Sequence, residues 1–142
     1  MSRVLAVGVF DLFHIGHLRY LQYARGQGSS LLVAVTPDAM GLAVKGKCPV
    51  VPETERLAIV EALACVDEVM LLPVSTSQPE ASAEWMSAAG IDKVVAGGCW
   101  LGSERWQRLQ PLLQARQIEV DYAPHTDGIS TTSRIMAIRG GV

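Results

Sequence analysis

Short, continuously apolar runs recur along the chain, and segments with helical spacing of apolar residues lie between them. The runs span residues 4–7, 31–35, 69–72, 94–96 and 118–122. Such runs are typical of strands buried on both faces, as in a parallel sheet covered by helices. The alternation therefore predicts an α/β fold: a Rossmann-like, doubly wound parallel sheet of about five strands, with residues 1–142 in one domain.

Helical spacing and helix-ending residues define the segments between the strands. Helices are predicted at residues 16–25, from Pro52 onward, at 81–89, at 104–116 and at 131–139. Pro111 lies inside the fourth of these, where a proline is expected to kink or divide the helix. Pro37 and Asp38 are predicted to open a loop that contains Gly41 and Gly46. In a sheet of this kind, ligands bind beyond the carboxyl ends of the strands, where the strand order reverses.

The composition excludes several classes of protein. Of the 142 residues, 49% are hydrophobic and 18% are charged, and the formal net charge is −2. These values predict a compact domain without the positive field that would attract nucleic acid. No apolar stretch approaches the roughly 20 residues that cross a bilayer, so no membrane insertion is expected. The three cysteines form no C-x-x-C pair, which indicates reduced thiols and a cytoplasmic location.

The segment that joins the first predicted strand to the first predicted helix carries the residues best suited to chemistry. Residues 8–17 read GVFDLFHIGH, which is neither the G-x-G-x-x-G dinucleotide fingerprint nor a Walker A loop. His14 and His17 stand at a helix start, where free N–H groups and the helix dipole favour anions. Gly16 has no Cβ atom, so a ligand can approach the backbone closely. Two imidazoles at this place can donate hydrogen bonds to phosphate oxygens and to charge that develops as a phosphoanhydride breaks.

Two other interpretations of the histidine pair stay open at this point. A histidine beside an apolar run is often structural, and two at this spacing can form half of a metal site. A metal would need further ligands, and beyond His125 the chain offers only scattered cysteines and aspartates. Phosphate binding and catalysis are the interpretation that the spacing favours.

Three motifs, in order along the chain, resemble a known family. The pattern Gly8-x-Phe10-Asp11-x-x-His14-x-Gly16-His17 resembles the signature of the cytidylyltransferase family within the HxGH nucleotidyltransferases. Residues 66–69 resemble the end of that family's R-Y-V-D-E-V segment, and residues 128–132 resemble its I-S-T-[ST] motif. The likeness is strongest to the bacterial glycerol-3-phosphate cytidylyltransferases, which have a tryptophan in the place of Trp100.

The resemblance implies an activity and a set of ligands. Enzymes of this family transfer the CMP group of CTP to a phosphorylated alcohol and release pyrophosphate, with Mg²⁺ on the triphosphate. The expected partners are therefore CTP, or ATP as in related HxGH enzymes, and a phosphorylated small-molecule acceptor. The resemblance also implies a homodimer.

The resemblance assigns expected roles to residues of this chain. The expected catalytic residues are His14, His17, Lys45 and Lys47. The expected nucleotide-binding residues are Gly8, Phe10, Asp11, Gly16, Ser130, Thr131 and Thr132. The expected substrate-binding residues are Asp38, Arg56 and His125. No metal site made by protein alone is expected, although Asp38 is placed where it can help to bind Mg²⁺.

Simpler roles compete for several of these residues. Lys45 and Lys47 can belong to a solvated surface loop, and Arg56 can pair with Glu53 on its own helix. Ser130 can be an ordinary helix N-cap.

The chain departs from the family pattern at positions associated with nucleotide or acceptor binding. Ala64 and His125 stand where the family has arginines, and Gly98 and Cys99 stand where the glycerol-3-phosphate enzymes have acidic residues. Losing two arginines removes two bidentate phosphate contacts. The acceptor therefore stays open among glycerol 3-phosphate, ethanolamine phosphate, a phosphonate, a sugar phosphate and flavin mononucleotide (FMN).

Rival functions stay open as well. One is adenylyl transfer from ATP to a sugar phosphate or FMN by an enzyme of the same fold. Another is an inactive nucleotide-binding regulatory module, which the departures motivate and the intact HxGH motif opposes. A fragment of an aminoacyl-tRNA synthetase shares the His14-Ile15-Gly16-His17 motif, but the chain has no K-M-S-K-S loop.

Overall fold

One parallel sheet of five strands organises the molecule, whose computed structural model describes residues 2–125 and 130–140, without the side chains of residues 44 and 45. The strands are β1 (Arg3–Gly8), β2 (Ser30–Val35), β3 (Glu68–Leu71), β4 (Lys93–Ala96) and β5 (Glu119–Tyr122). The helices are α1 (Ile15–Arg25), α2 (Asp38–Lys45), α3 (Glu53–Glu61), α4 (Pro79–Ala88), α5 (Glu104–Ala115) and α6 (Thr131–Arg139), and a 3₁₀ turn spans Gly98–Trp100.

The strand order is β3-β2-β1-β4-β5, and every pair of neighbours is parallel. The chain moves outward from β1 through β2 to β3, then returns to the other side of β1 to place β4 and β5. This reversal makes the gap between β1 and β4 the topological switch point of the sheet. The register pairs Ala6 with Val95 at the last step of the β1–β4 ladder, whereas β1 stays paired with β2 as far as Gly8 and Val35. The predicted doubly wound parallel sheet is confirmed.

Helices cover both faces of the sheet, which explains why the strands are apolar without alternation. In β1, Leu5 faces the core under α4 and α5, while Val4 and Ala6 face the core under α1 and α3. All three side chains are fully buried. Each large apolar side chain buried in this way stabilises the fold by about 1.5–3 kcal/mol relative to exposure.

The structure corrects one expectation about a helix and narrows another. Residues 38–45 form helix α2 and not a loop. Pro37 and Gly46, which indicated a loop, are the residues at the two ends of this helix. Pro37 is the N-cap, and Gly46 ends the helix with φ of 75°. Helix α5 is not divided and runs through Pro111, which lies on its exposed side, where solvent can reach the carbonyl group left without an N–H partner.

No helix in the described ranges combines the length and the apolar character needed to cross a membrane.

Candidate active site

A cavity of about 360 Å³ opens beyond the carboxyl ends of β1 and β4, at the switch point of the sheet. One wall is formed by the end of β1 and the start of α1, with Gly8, Phe10, His14, Gly16 and His17. The opposite wall is formed by the segment after β3 and the start of α5, with Ser75, Thr76, Arg105 and Trp106. The segments after β4 and β5 close one end, with Gly97, Gly98, Cys99 and His125.

A strained turn connects β1 to the start of α1. Phe10 and Leu12 have φ values of 56° and 49°, in the left-handed region that non-glycine residues rarely adopt. Two buried anchors hold this turn. The Phe10 ring is 3% exposed and lies so close to Gly8 that a Cβ atom there would meet it at 2.8 Å. The carboxylate of Asp11 accepts hydrogen bonds from the N–H groups of Val50 (2.8 Å) and Val51 (2.9 Å). Asp11 therefore supports the turn and does not line the cavity.

His14 and His17 begin helix α1 as a reciprocal cap. The Nδ1 atom of His14 accepts a hydrogen bond from the N–H group of Gly16, and the Nδ1 atom of His17 accepts from the N–H group of His14, both at 3.1 Å. The two rings stack with centroids 3.9 Å apart. Because both Nδ1 atoms are acceptors, the proton of each neutral imidazole resides on Nε2. The pair therefore presents two Nε2–H donors that its own caps do not use.

The electrostatic environment keeps both imidazoles neutral. Burial and, to a smaller extent, the proximity of His14 lower the pKa of His17, Asp11 opposes the shift, and the net pKa is about 4. Burial also lowers the pKa of His14, and the charge of Arg134 on α6 acts in the same direction. Near neutral pH the rings can stack without charge repulsion and still donate to phosphate oxygens.

Tyr20, one turn further along α1, fills the gap where β1 and β4 separate. Its hydroxyl group donates to the carbonyl oxygen of Val95 (2.6 Å) and accepts from the N–H group of Val7 (3.2 Å). Burial raises the pKa of Tyr20, so the hydroxyl stays protonated. The side chain forms part of the cavity wall beside the histidine pair.

Arg56, an expected substrate-binding residue, is the centre of a buried hydrogen-bond network. It is 1% exposed and donates to the carbonyl oxygens of Val9 (2.7 Å), Thr36 (2.7 Å) and Val51 (2.9 Å). A fourth hydrogen bond, of 2.5 Å, joins it to Asp38. The structure places Arg56 outside the cavity wall, with four of its five N–H groups engaged.

Asp38 is engaged in the same network. Its second carboxylate oxygen accepts from the N–H group of Glu53 (3.2 Å), and its own N–H group donates to the Glu53 carboxylate (2.9 Å). Arg56 thus pairs with Asp38, and not with Glu53 as the simpler interpretation had it. Asp38 does not line the cavity.

The residues of this region fit a magnesium ion only when the phosphates of a nucleotide supply most of its ligands. Both oxygens of the Asp11 and Asp38 carboxylates accept hydrogen bonds from protein groups. Within residues 2–125 and 130–140, no cluster of three or more His, Cys, Asp or Glu side chains can hold a metal. Since Mg²⁺ prefers oxygen ligands and retains water, the residues fit an ion carried mainly by the phosphates of a nucleotide.

The C-terminal motif packs its helix start against the turn after β1. The hydroxyl group of Thr131 donates to the carbonyl oxygen of Asp11 (2.9 Å). The hydroxyl group of Ser130 accepts from the N–H group of Ser133 (3.0 Å), so Ser130 is the N-cap of α6. Thr132 is exposed, and residues 128 and 129 of the motif lie outside the described residues.

Of the two expected catalytic lysines, the structure describes the side chain of Lys47 alone, and Lys47 does not line the cavity. Lys47 is exposed in the segment after α2. Lys45 is the last residue of α2, and its side chain lies outside the described part of the chain.

The residues that depart from the family pattern lie in two places. Cys99 and His125 line the cavity together with Gly98, whereas Ala64 is exposed and does not. Gly98 leaves no room for a side chain, because a Cβ atom there would lie 2.4 Å from the Ala123 carbonyl oxygen and 3.1 Å from the His125 nitrogen. The close approach of the 123–125 segment thus requires glycine at this position.

The wall made by α5 contains polar residues that no motif in the sequence indicated. The guanidinium group of Arg105 lies 4.8 Å above the Trp100 ring, and it donates to the Thr76 hydroxyl group (3.3 Å). The packing of α4 against α5 brings the segment after β3 to the start of α5, and no local pattern in the sequence indicates this contact.

Comparisons with known proteins identify the family. A family model described as cytidylyltransferase-like matches residues 5–137. The bifunctional protein HldE of Citrifermentans bemidjiense is 37% identical over 139 residues, covering 94% of this chain and 26% of that protein. The FAD synthase of Methanohalophilus mahii is 48% identical over 71 residues, covering 50% of this chain and 49% of that protein. The chain thus spans about a quarter and about half of these relatives, respectively.

A solved structure shares the fold. The lipopolysaccharide core biosynthesis protein of Thermoplasma volcanium superposes with a TM-score of 0.74 at 27% identity, covering 89% of this chain and 99% of that one. The expected special likeness to glycerol-3-phosphate cytidylyltransferases stays a prediction.

Proposed function

Because this chain belongs to the cytidylyltransferase-like family and is a nucleotidyltransferase, we propose that it transfers the adenylyl group of ATP to a phosphorylated small molecule. Pyrophosphate is the second product. The observation that carries this proposal is the neutral pair His14 and His17, with two Nε2–H donors in a cavity at the switch point of the sheet.

The reaction needs positioning and charge neutralisation but no protein nucleophile. A phosphate oxygen of the acceptor attacks the α-phosphorus of ATP in line with the bond to the β-phosphate. A new P–O bond forms, the α–β phosphoanhydride bond breaks, and its electron pair leaves with pyrophosphate. The Nε2–H groups of His14 and His17 donate to the phosphate oxygens on which negative charge accumulates. The positive end of the α1 dipole adds to this stabilisation.

Further contacts to the phosphates are proposed from the family resemblance. Lys45, Lys47 and the first residues of α6 would approach the triphosphate from the side of α2 and α6. Mg²⁺ carried on the phosphate oxygens supplies neutralisation of the leaving pyrophosphate when it is bound. Asp38 and Arg56 would act indirectly in this proposal, by fixing the segments that surround the triphosphate.

ATP is proposed in place of the CTP that the family signature led us to expect. FAD contains an adenylyl group joined to FMN, so the relative named FAD synthase supports adenylyl transfer. The end of the cavity also differs from that of the cytidylyltransferases that this chain resembles, since position 98 has no room for an acidic side chain. Cytidylyl transfer from CTP to a phosphorylated alcohol is the second candidate, supported by the signature itself.

A sugar phosphate and FMN are the two acceptors that we propose to test first. The FAD synthase relative supports FMN. The structural neighbour with a role in lipopolysaccharide core biosynthesis supports a sugar phosphate, because that core is built from sugars.

A pyrophosphate-release screen tests the proposal. Four nucleoside triphosphates would be crossed with FMN, several sugar 1-phosphates, glycerol 3-phosphate and ethanolamine phosphate, in the presence of Mg²⁺. We expect release from ATP only when one of the acceptors is present. Release with CTP alone among the nucleotides would replace ATP by the second candidate. Nucleotide binding without turnover across the whole panel would favour the regulatory module.

A further inference from the structure

The cavity wall opposite the histidine pair carries a cation that no carboxylate neutralises within residues 2–125 and 130–140. The ion pairs formed by the described arginines and lysines involve Arg3, Arg25, Arg56, Lys93 and Arg108, but not Arg105. Arg105 is instead held by the face of Trp100 and by the Thr76 hydroxyl group. Burial lowers its pKa, which indicates that the guanidinium charge is partly withdrawn from water. A half-buried cation held in this way is suited to binding an anion.

The residue after Arg105 adds a second donor without a partner. Trp106 lines the same cavity, is 3% exposed, and its indole N–H group has no hydrogen-bond partner within the described structure. Buried donors in folded proteins are nearly always paired. An edge-on contact with the Tyr122 ring, at 6.3 Å between centroids, fixes the orientation of the indole. A ligand atom that accepts a hydrogen bond would satisfy this group.

We propose that Ser75, Thr76, Arg105 and Trp106, here called the α5 cluster, bind an anionic group of the acceptor. This inference rests on the proposed function for the identity of the ligand. The acceptor must approach the α-phosphorus from the side opposite the leaving pyrophosphate, and the triphosphate is assigned to the start of α1. Helices α1 and α5 pack on opposite faces of the sheet, and the α5 cluster lines the same cavity as the start of α1. Arg105 is then a specificity-determining residue that selects acceptors with a phosphate or a carboxylate.

Binding of a simple anion tests the cluster without turnover. Inorganic phosphate would be titrated into the protein by calorimetry, with α,β-methylene ATP present to fill the triphosphate site. Arg105→Met removes the charge and retains the aliphatic stem. Arg116→Met makes the same change at the exposed far end of the same helical segment. We expect at least a tenfold loss of phosphate affinity for Arg105→Met, partial recovery for Arg105→Lys, and wild-type affinity for Arg116→Met.

A second variant and a comparison of the KM for the acceptor with the KM for ATP complete the test. Trp106→Phe removes the indole N–H and should weaken phosphate binding severalfold. Under turnover, Arg105→Met should raise the KM for the acceptor at least tenfold and leave the KM for ATP within twofold. Malonate in place of phosphate distinguishes a carboxylate from a phosphate as the preferred anion.

Three results would overturn the inference. They are absence of phosphate binding to the wild type, equal affinities for Arg105→Met and Arg116→Met, and an Arg105→Met defect in the KM for ATP but not for the acceptor. Failure of the proposed function is seen separately, as failure of α,β-methylene ATP to bind. In that event the phosphate titration without nucleotide still reports on Arg105.

Discussion

The Nδ1 atom of His17 accepts a hydrogen bond from the backbone N–H group of His14, at 3.1 Å. The rings proposed to contact phosphates are therefore also the cap of the helix that carries them. A variant that removes either ring disturbs both roles, so the two must be separated by the choice of substitution.

The first prediction separates catalysis from capping at His17. In His17→Asn, the side-chain amide oxygen can accept the hydrogen bond from His14, but the amide N–H₂ group is too short to reach the position of Nε2–H. In His17→Ala, both are lost. We expect both variants to lose about 10²–10³ in kcat, the usual effect of removing one donor to developing charge. We expect only His17→Ala to lose about 1 kcal/mol of unfolding free energy, the usual cost of a lost cap. Urea unfolding and pyrophosphate release measure the two effects, and unchanged turnover in His17→Asn would refute the assigned role.

The second prediction concerns the pH dependence of stability. The pKa of His17 is lowered to about 4 in the folded chain, against 6.5 as its ordinary value. As the pH falls, the unfolded chain takes up the proton first, so the free energy of unfolding should decline between pH 6.5 and pH 4. The contribution is fully present above pH 6.5 and lost below about pH 4. His17→Asn should show a shallower decline, measured by urea unfolding at several pH values. Parallel pH profiles for the two proteins would contradict the lowered pKa.

The third prediction tests whether Arg56 is structural. Arg56→Met leaves three carbonyl oxygens and Asp38 without their shared donor, and we expect a loss of at least about 3 kcal/mol of unfolding free energy. Arg25→Met removes a partly exposed ion pair with Asp67 and should cost less than about 1 kcal/mol. Thermal and urea unfolding provide the comparison. An Arg56→Met variant with wild-type stability and a raised KM for the acceptor would instead support the direct substrate contact expected from the family.

The fourth prediction uses neighbouring glycines as a matched pair. Gly98→Ala brings a Cβ atom to 2.4 Å from the Ala123 carbonyl oxygen, whereas Gly97→Ala meets no neighbour closer than 3.8 Å. We expect Gly98→Ala to cost about 1–3 kcal/mol, as overpacking does, and Gly97→Ala to cost clearly less. Differential scanning calorimetry measures both. Equal stability of the two variants would show that the 123–125 segment can move to make room for the added Cβ atom.

The sheet was predictable because each strand is buried on both faces, so its apolar run is visible without any tertiary information. All five predicted strands are found within one residue at each end. Helix α2 was missed for the opposite reason. It is short, and the prolines and glycines around it have the same local preferences in a loop and at a helix end.

The candidate site was predictable only in part. His14, Gly16 and His17 are contiguous, so one turn of chain brings them together and a motif records them. Arg105 and Thr76 lie 29 residues apart in the sequence and meet through helix packing, which leaves no local pattern. The family resemblance assigned Arg56 and Asp38 to substrate binding, but the sequence could not show that each satisfies the other.

The hydroxyl group of Tyr20 occupies the place at the switch point where a water molecule would otherwise bridge the separating strands. Because it is covalently attached to α1, this bridge cannot exchange with solvent. It joins the helix that carries His14 and His17 to both strands at the point where their ladder ends. The histidine pair is thereby tied to the sheet before any ligand arrives.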